Sequence, residues 1–109
     1  MLYIDGKWEN SSNGTFQVIN PATGETLGEV ANGTREDAIR AIAAAEAAFP
    51  KWAELTAFER SSYLYKAYEL MMEKKEFLAE MMTKEQGKPL KASRNEVQYA
   101  ADFLIWYAE

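Results

Sequence analysis

The side chains of this sequence that carry charge near neutral pH are 17 carboxylates and 12 Lys or Arg cations, with no His and no Cys among the 109 residues. Without an imidazole or a thiolate the chain has no proton shuttle working near pH 7 and no nucleophile of the usual strength. Acid–base chemistry from carboxylates alone needs two acids in unlike environments across a cleft. The Glu residues here fall at helix starts and between apolar stripes, as solvated faces do. Gly87-Lys88 invites comparison with a phosphate loop, but that motif requires Gly where Met82 stands and Ser or Thr where Pro89 stands. Neither a His-x-x-x-His pair nor a calcium loop of spaced acids occurs. Tyr63, Tyr65 and Tyr68 with Met71-Met72 could line a cofactor, yet aromatics and Met at helical spacing are the ordinary content of a core. From its own residues the sequence assigns no catalytic residue and no cofactor-binding residue.

The elements that would have to position any site come from a chain whose length allows one modest core. An apolar fraction of 48% with 27% charged residues is that of a folded globular protein. The net charge of -5 repels phosphate backbones, so nucleic acid is not an expected partner. No apolar run approaches the ~20 residues that cross a bilayer, so no membrane partner is expected, and the start Met1-Leu2-Tyr3-Ile4-Asp5-Gly6 lacks the form of a secretory signal. A cytoplasmic location is the expectation. Three Asn-x-Ser/Thr sequons, at Asn10, Asn13 and Asn32, then read as turn and cap chemistry rather than glycan acceptors.

The organising stretch runs from Phe16 to Val30, a short apolar run, the turn Asn20-Pro21-Ala22-Thr23-Gly24 and a second run, and it predicts a hairpin. Tyr3 to Trp8 adds two aromatic-bearing extended pieces about a polar turn, and Asn13-Gly14 is a hairpin signal ahead of a strand starting at Thr15 or Phe16. The expected fold is α+β: an N-terminal antiparallel β-ribbon of two or three short strands over about residues 1–31, then three α-helices over about 34–54, 56–86 and 89–109. Thr34 should cap the first helix, with Glu36 and Asp37 favoured in its first turn. Ala38, Ile42, Ala45 and Phe49 should form its packed stripe, and Pro50 should end or bend it. Thr56-Ala57-Phe58-Glu59 is a capping box opening the second helix. Its stripe is Leu64, Ala67, Tyr68 and Met71, then Phe77, Leu78, Met81 and Met82 beyond a charged break at 73–76 where a kink is expected.

Gly87 can stop that helix in the left-handed conformation and Pro89 can open the next, along which Leu90, Val97, Ala100, Leu104 and Tyr107 share a face. From Tyr99 on, apolar groups surround the axis, as in a helix buried on all sides, and there is too little chain to bury it. The expectation is a truncated chain, an incomplete part of a larger α/β enzyme, which by itself self-associates with Phe103, Ile105 and Trp106 at the contact. A natural small helical module that buries Tyr99–Tyr107 against a partner or a second copy is the competing expectation.

Tyr3-Ile4-Asp5-Gly6-Lys7-Trp8, Val18-Ile19-Asn20-Pro21-Ala22-Thr23-Gly24-Glu25, Phe49, Trp52 and Glu85-Gln86-Gly87-Lys88-Pro89, in this order and spacing, resemble the N-terminal portion of the NAD(P)-dependent aldehyde dehydrogenase superfamily. Met82 to Leu90, then Glu96-Val97 and Tyr99 to Glu109, are similar to the succinate-semialdehyde dehydrogenase branch. The resemblance implies an oligomeric enzyme of several hundred residues in which these helices pack on the cofactor-binding domain. It implies thiolate attack on an aldehyde, hydride transfer to NAD(P)+ and hydrolysis of the thioester. The nucleophilic Cys, the general-base Glu, the Asn of the oxyanion site and the dinucleotide-binding strand–turn–helix of the family have no counterpart in this sequence, so the chain alone is expected to be inactive and to bind no cofactor. Some members hold a monovalent cation with backbone carbonyls before the Asn-Pro turn and a carboxylate before the Gly-Lys pair, which implies Val18, Ile19 and Glu85 here. The competing reading of Glu85 is a solvated acid in the last turn of a helix, mildly unfavourable there against the dipole.

Overall fold

The computed structural model describes residues 1–109. Four strands precede four helices: β1 (Leu2–Ile4), β2 (Lys7–Glu9), β3 (Thr15–Ile19), β4 (Thr26–Ala31), α1 (Arg35–Glu54), α2 (Ala57–Glu73), α3 (Lys75–Gln86) and α4 (Leu90–Ala108). The fold is α+β, with all pairing antiparallel and the strands gathered before the helices. Where length suggested one core, the chain divides into two compact units, Met1–Ile19 with Thr26–Glu54, and Asn20–Glu25 with Leu55–Glu109.

In the first unit the expected single ribbon is two separate ones, β1–β2 and β3–β4. Asp5 and Gly6 both take positive φ between β1 and β2, the condition for a two-residue turn whose twist matches its strands. That register sets Tyr3 opposite Trp8, with ring centroids 5.0 Å apart. Asn13-Gly14 does form a turn, with the Gly14 N–H donating to the Ser11 carbonyl, but it does not pair β2 with β3. The reason is Ser11, which is buried and whose hydroxyl reaches Asn32 and Asp37, drawing the connection away from a hairpin path. Between β3 and β4 the register slips beyond Val18, where Leu27 is the extra residue of a bulge.

Helix α1 runs on through Pro50 to Glu54. Its packing side keeps half of the expected stripe: Ala38 and Ala45 lie beside the β1–β2 ribbon together with Asp37, Ala41, Ala44 and Ala48, whereas Ile42 and Phe49 are 67% and 65% exposed. Alanine occupies nearly every side of this helix, so hydrophobic period alone could not select a face, and the ribbon lies where small side chains let a backbone approach.

In the second unit the turn Asn20–Glu25 is held by its own polar groups. The Asn20 Oδ1 accepts the Ala22 N–H at 2.9 Å, and the Gly24 N–H donates to the Asn20 carbonyl at 2.8 Å. The Thr56–Glu59 capping box forms in full, hydroxyl to Glu59 N–H and carboxylate to Thr56 N–H. The expected second helix is two, α2 and α3, separated at Lys74, whose N–H closes the end of α2 on the Leu70 carbonyl. The charged run at 73–76 has no apolar residue to carry the stripe through; α3 restarts within it at Lys75, and apolar residues return at Phe77, Leu78 and Ala79. Helix α4 packs along both α2 and α3. Its buried positions Ser93, Val97 and Ala101 lie four residues apart, and half-buried Leu104 bridges the seven-residue step to buried Ala108. Of the face expected from sequence, Val97 is buried, Leu90 and Leu104 are half-buried, and Ala100 and Tyr107 point away.

Candidate functional site

The densest polar constellation is in the first unit, around the N-terminus of α1. Thr34 and Asp37 cap that helix reciprocally: the Asp37 N–H donates to Thr34 Oγ1 at 3.1 Å, and the Thr34 N–H donates to Asp37 Oδ2 at 2.9 Å. This is the capping-box arrangement with Asp in the Glu position. The Ser11 hydroxyl lies 2.9 Å from the same carboxylate oxygen and 2.7 Å from the Asn32 carbonyl, and it accepts the Asn13 N–H. Arg40 Nη2 bridges Asp37 Oδ1, at 2.8 Å, and Glu9. The Thr34 N–H first, then Arg40 and Ser11, hold the Asp37 carboxyl well below its ordinary value of 3.8 against the opposing cost of burial. Glu9, then Asp37, hold the Arg40 guanidinium more firmly protonated than usual.

A hydroxyl beside a carboxylate has the outline of an activated nucleophile, and the electrostatics argue against that use. A carboxylate whose lone pairs are taken by three donors is a weaker base than a free one, so it cannot withdraw the Ser11 proton. The cluster is structural: it caps α1 and ties the loop after β2 to the segment before the helix. Sequence reasoning saw Thr34 as a cap and Asp37 as a dipole partner. It missed Ser11 and Arg40, for which spacing along the chain gives no signal, since Ser11 and Asp37 are 26 positions apart.

The second unit carries an aromatic face. On α4, Tyr99 and Phe103 meet edge to face at 4.9 Å, and Phe103 and Tyr107 stack at 6.4 Å. Trp106 extends this face and is 76% exposed, and Phe103 is 46% exposed. Ile105, expected beside them, is half-buried. At the C-terminal end of α4 the Ser61 hydroxyl donates to the Ala108 carbonyl and the Tyr65 hydroxyl donates to Glu109, which raises the Tyr65 pKa above its ordinary value. Of the aromatic and Met group on α2, Tyr68, Met71 and Met72 are half-buried and Tyr63 and Tyr65 are exposed.

Gly87, at φ 75°, caps α3 with its N–H on the Thr83 carbonyl, and Lys88 pairs with Glu96, so the Gly-Lys pair is committed to ending one helix and bracing the next. Val18 and Ile19 lie on β3 in the first unit, and Glu85 is exposed near the end of α3 in the second. No three acidic side chains converge as a metal cluster.

The aldehyde dehydrogenase family matches residues 8–109. The chain belongs to that family. It is 49% identical to glutarate-semialdehyde dehydrogenase of Pseudomonas putida over 98% of its length, and 45% identical to the NADP(+) succinate-semialdehyde dehydrogenase of Escherichia coli over 97%. Succinate-semialdehyde dehydrogenase from Burkholderia pseudomallei superposes with a TM-score of 0.92 at 42% identity, over 97% of this chain and 22% of that one. The chain likewise spans about 22% of the length of the two curated relatives. It corresponds to the N-terminal part of an aldehyde dehydrogenase fold. The strands here pair only as antiparallel ribbons and form no parallel strand–helix–strand unit of the kind that holds a dinucleotide in doubly wound folds.

Proposed function

We propose that this chain is the opening part of an NAD(P)+-dependent aldehyde dehydrogenase that oxidises succinic semialdehyde or a similar aldehyde to the acid, and that the chain is inert alone. The observation that carries this reading is the 49% and 45% identity, over nearly all of the chain, to relatives named for glutarate and succinate semialdehydes. Inertness follows from the absence of Cys and His. Incubating the 109-residue chain with succinic semialdehyde and NAD+ or NADP+ should give no reduced cofactor absorbance above a blank, and turnover would overturn that part. The product of the whole reading frame that contains this sequence should reduce NAD+ or NADP+ with succinic semialdehyde. Failure with every dicarboxylic semialdehyde would overturn the substrate class. A cytoplasmic, oligomeric parent enzyme belongs to the same proposal.

The exposed aromatic face of α4 supports a second reading, a helical interaction module that self-associates through Phe103, Ile105 and Trp106. Self-association is expected on both readings, and a folded monomer at high concentration in sedimentation counts against it on either. The reading frame decides between them: a native gene that ends after Glu109 supports the module, and one that runs on toward a Cys-bearing domain overturns it.

A further inference from the structure

The sequence holds two Asn-Gly pairs, Asn13-Gly14 and Asn32-Gly33, which differ in how the fold treats the groups that would react. In such a pair the main-chain nitrogen of Gly, having lost its proton to solvent base, attacks the Asn Cγ. The new N–Cγ bond forms, the Cγ–Nδ2 bond breaks and ammonia leaves. Water then opens the cyclic imide at one of its two carbonyls, giving Asp or isoaspartate with no change of oxidation state.

We propose that Asn32-Gly33, not the pair at the exposed turn, is the site at which the folded chain undergoes this modification. The Gly14 nitrogen is occupied, because its N–H donates to the Ser11 carbonyl in the turn, and its φ of 71° is locked in the left-handed region. The Gly33 N–H has no main-chain acceptor. The Asn32 carbonyl, part of the same peptide group as the Gly33 nitrogen, shares the single Ser11 hydroxyl proton with Asp37 and lies 2.7 Å from the Ser11 oxygen. A hydrogen bond into that oxygen draws electron density from the amide and makes its N–H more acidic, which raises the population of the attacking anion. The Asn32 carboxamide, the electrophile, makes no hydrogen bond within the chain and is partly open to solvent. Conversion to isoaspartate would route the main chain through Cβ and Cγ, lengthening it by one methylene ahead of the Thr34 cap, and would turn the carbonyl that Ser11 holds into a free carboxylate branch. It would also place a new negative charge near Asp37, so the modification acts on the polar cluster that organises the first unit.

The test is peptide mapping by mass spectrometry of the 109-residue chain aged in mildly alkaline buffer, with a parallel sample in urea. In the folded chain, conversion at Asn32 should run several-fold ahead of conversion at Asn13, and in urea, where both hydrogen-bond patterns are gone, the two rates should converge. Conversion at Asn13 equal to or ahead of Asn32 in the folded chain overturns the proposal. So does a ratio unchanged by urea. Gly33→Ala supplies a variant that folds, since a Cβ there meets only Leu2 Cδ2 at 3.7 Å, ordinary contact, and the position has no positive φ. It should suppress conversion at Asn32 and leave Asn13 untouched. An unchanged Asn32 rate in that variant also counts against the proposal.

Discussion

The two units are held together by different physics. Every fully buried apolar residue of the chain, Ala79, Val97, Ala101 and Ala108, belongs to the second unit, where α4 lies on α2 and α3. The first unit buries no apolar side chain completely, and its buried residues are Ser11 and Asp37. One unit is an apolar helical seam with a few satisfied hydroxyls, such as the Thr83–Ser93 pair at 2.8 Å. The other is a set of ribbons and a helix organised by hydrogen bonds to one carboxylate. Apolar burial is indifferent to pH and tolerates substitution by volume, whereas a polar hub depends on the charge of a single group. The contrast gives the units separate vulnerabilities.

The largest effect is expected at the seam. Val97→Ala removes two buried methyl-sized volumes and should destabilise by about 2 kcal/mol, read from chemical denaturation followed by helical circular dichroism. Hydrogen exchange at the Asp37 N–H should be unaffected by that variant, because the two residues belong to different compact units and share no hydrogen-bond partner. Equal loss of protection there would break the distinction and make the chain one cooperative block. Next comes Gly87→Ala, which forces a side chain into the left-handed region at φ 75° with its Cβ 3.0 Å from Pro21 Cγ. Roughly 1–2 kcal/mol is expected from the backbone alone, and a neutral result would mean the α3 cap can rearrange. Thr56→Ala removes the N-cap hydroxyl of α2 and should cost about 1 kcal/mol, with fraying confined to the first turn of α2 in exchange measurements.

The remaining prediction concerns slope against pH and discriminates most sharply. Asp37 in the first unit, and Glu59 and Glu76 in the second, titrate below their ordinary values of 3.8 and 4.5 in the folded chain. The causes are the Thr34 N–H, the Thr56 N–H and Arg94, in that order. On acidification the unfolded chain therefore binds protons first. The stability these groups contribute is complete above the ordinary carboxylate range and is lost as pH falls through it toward the depressed folded values. Asp37→Asn should remove the largest share of that acid dependence, and should remove it from the first unit only. A thermal-melt series from pH 6 down to pH 3 that kept its slope in the variant would dissociate the hub from acid unfolding.

Much of the local structure was legible in sequence because its causes are local. The Asp5-Gly6 and Asn20–Gly24 turns, the Thr56–Glu59 box and the Gly87 cap each rest on residues within a few positions, and they form where their spacing placed them. The charged break at 73–76 marked the place where α2 gives way to α3. The order of short motifs was enough for the family, since it survives without knowledge of contacts. No catalytic constellation could be read because the residue types that would build one are absent.

By itself, then, the sequence determined turn positions, helix caps, the sign of the charge and the family, all set by neighbouring residues or by residue order. Only the tertiary structure decided which face of the alanine-rich α1 is packed, that the strands form two ribbons, that the aromatic side of α4 is left outward, and that Ser11, Asp37, Arg40 and Glu9 share one network. Those outcomes depend on which distant segments meet. A period of 3.6 or 2 residues says that a face exists but cannot name what covers it.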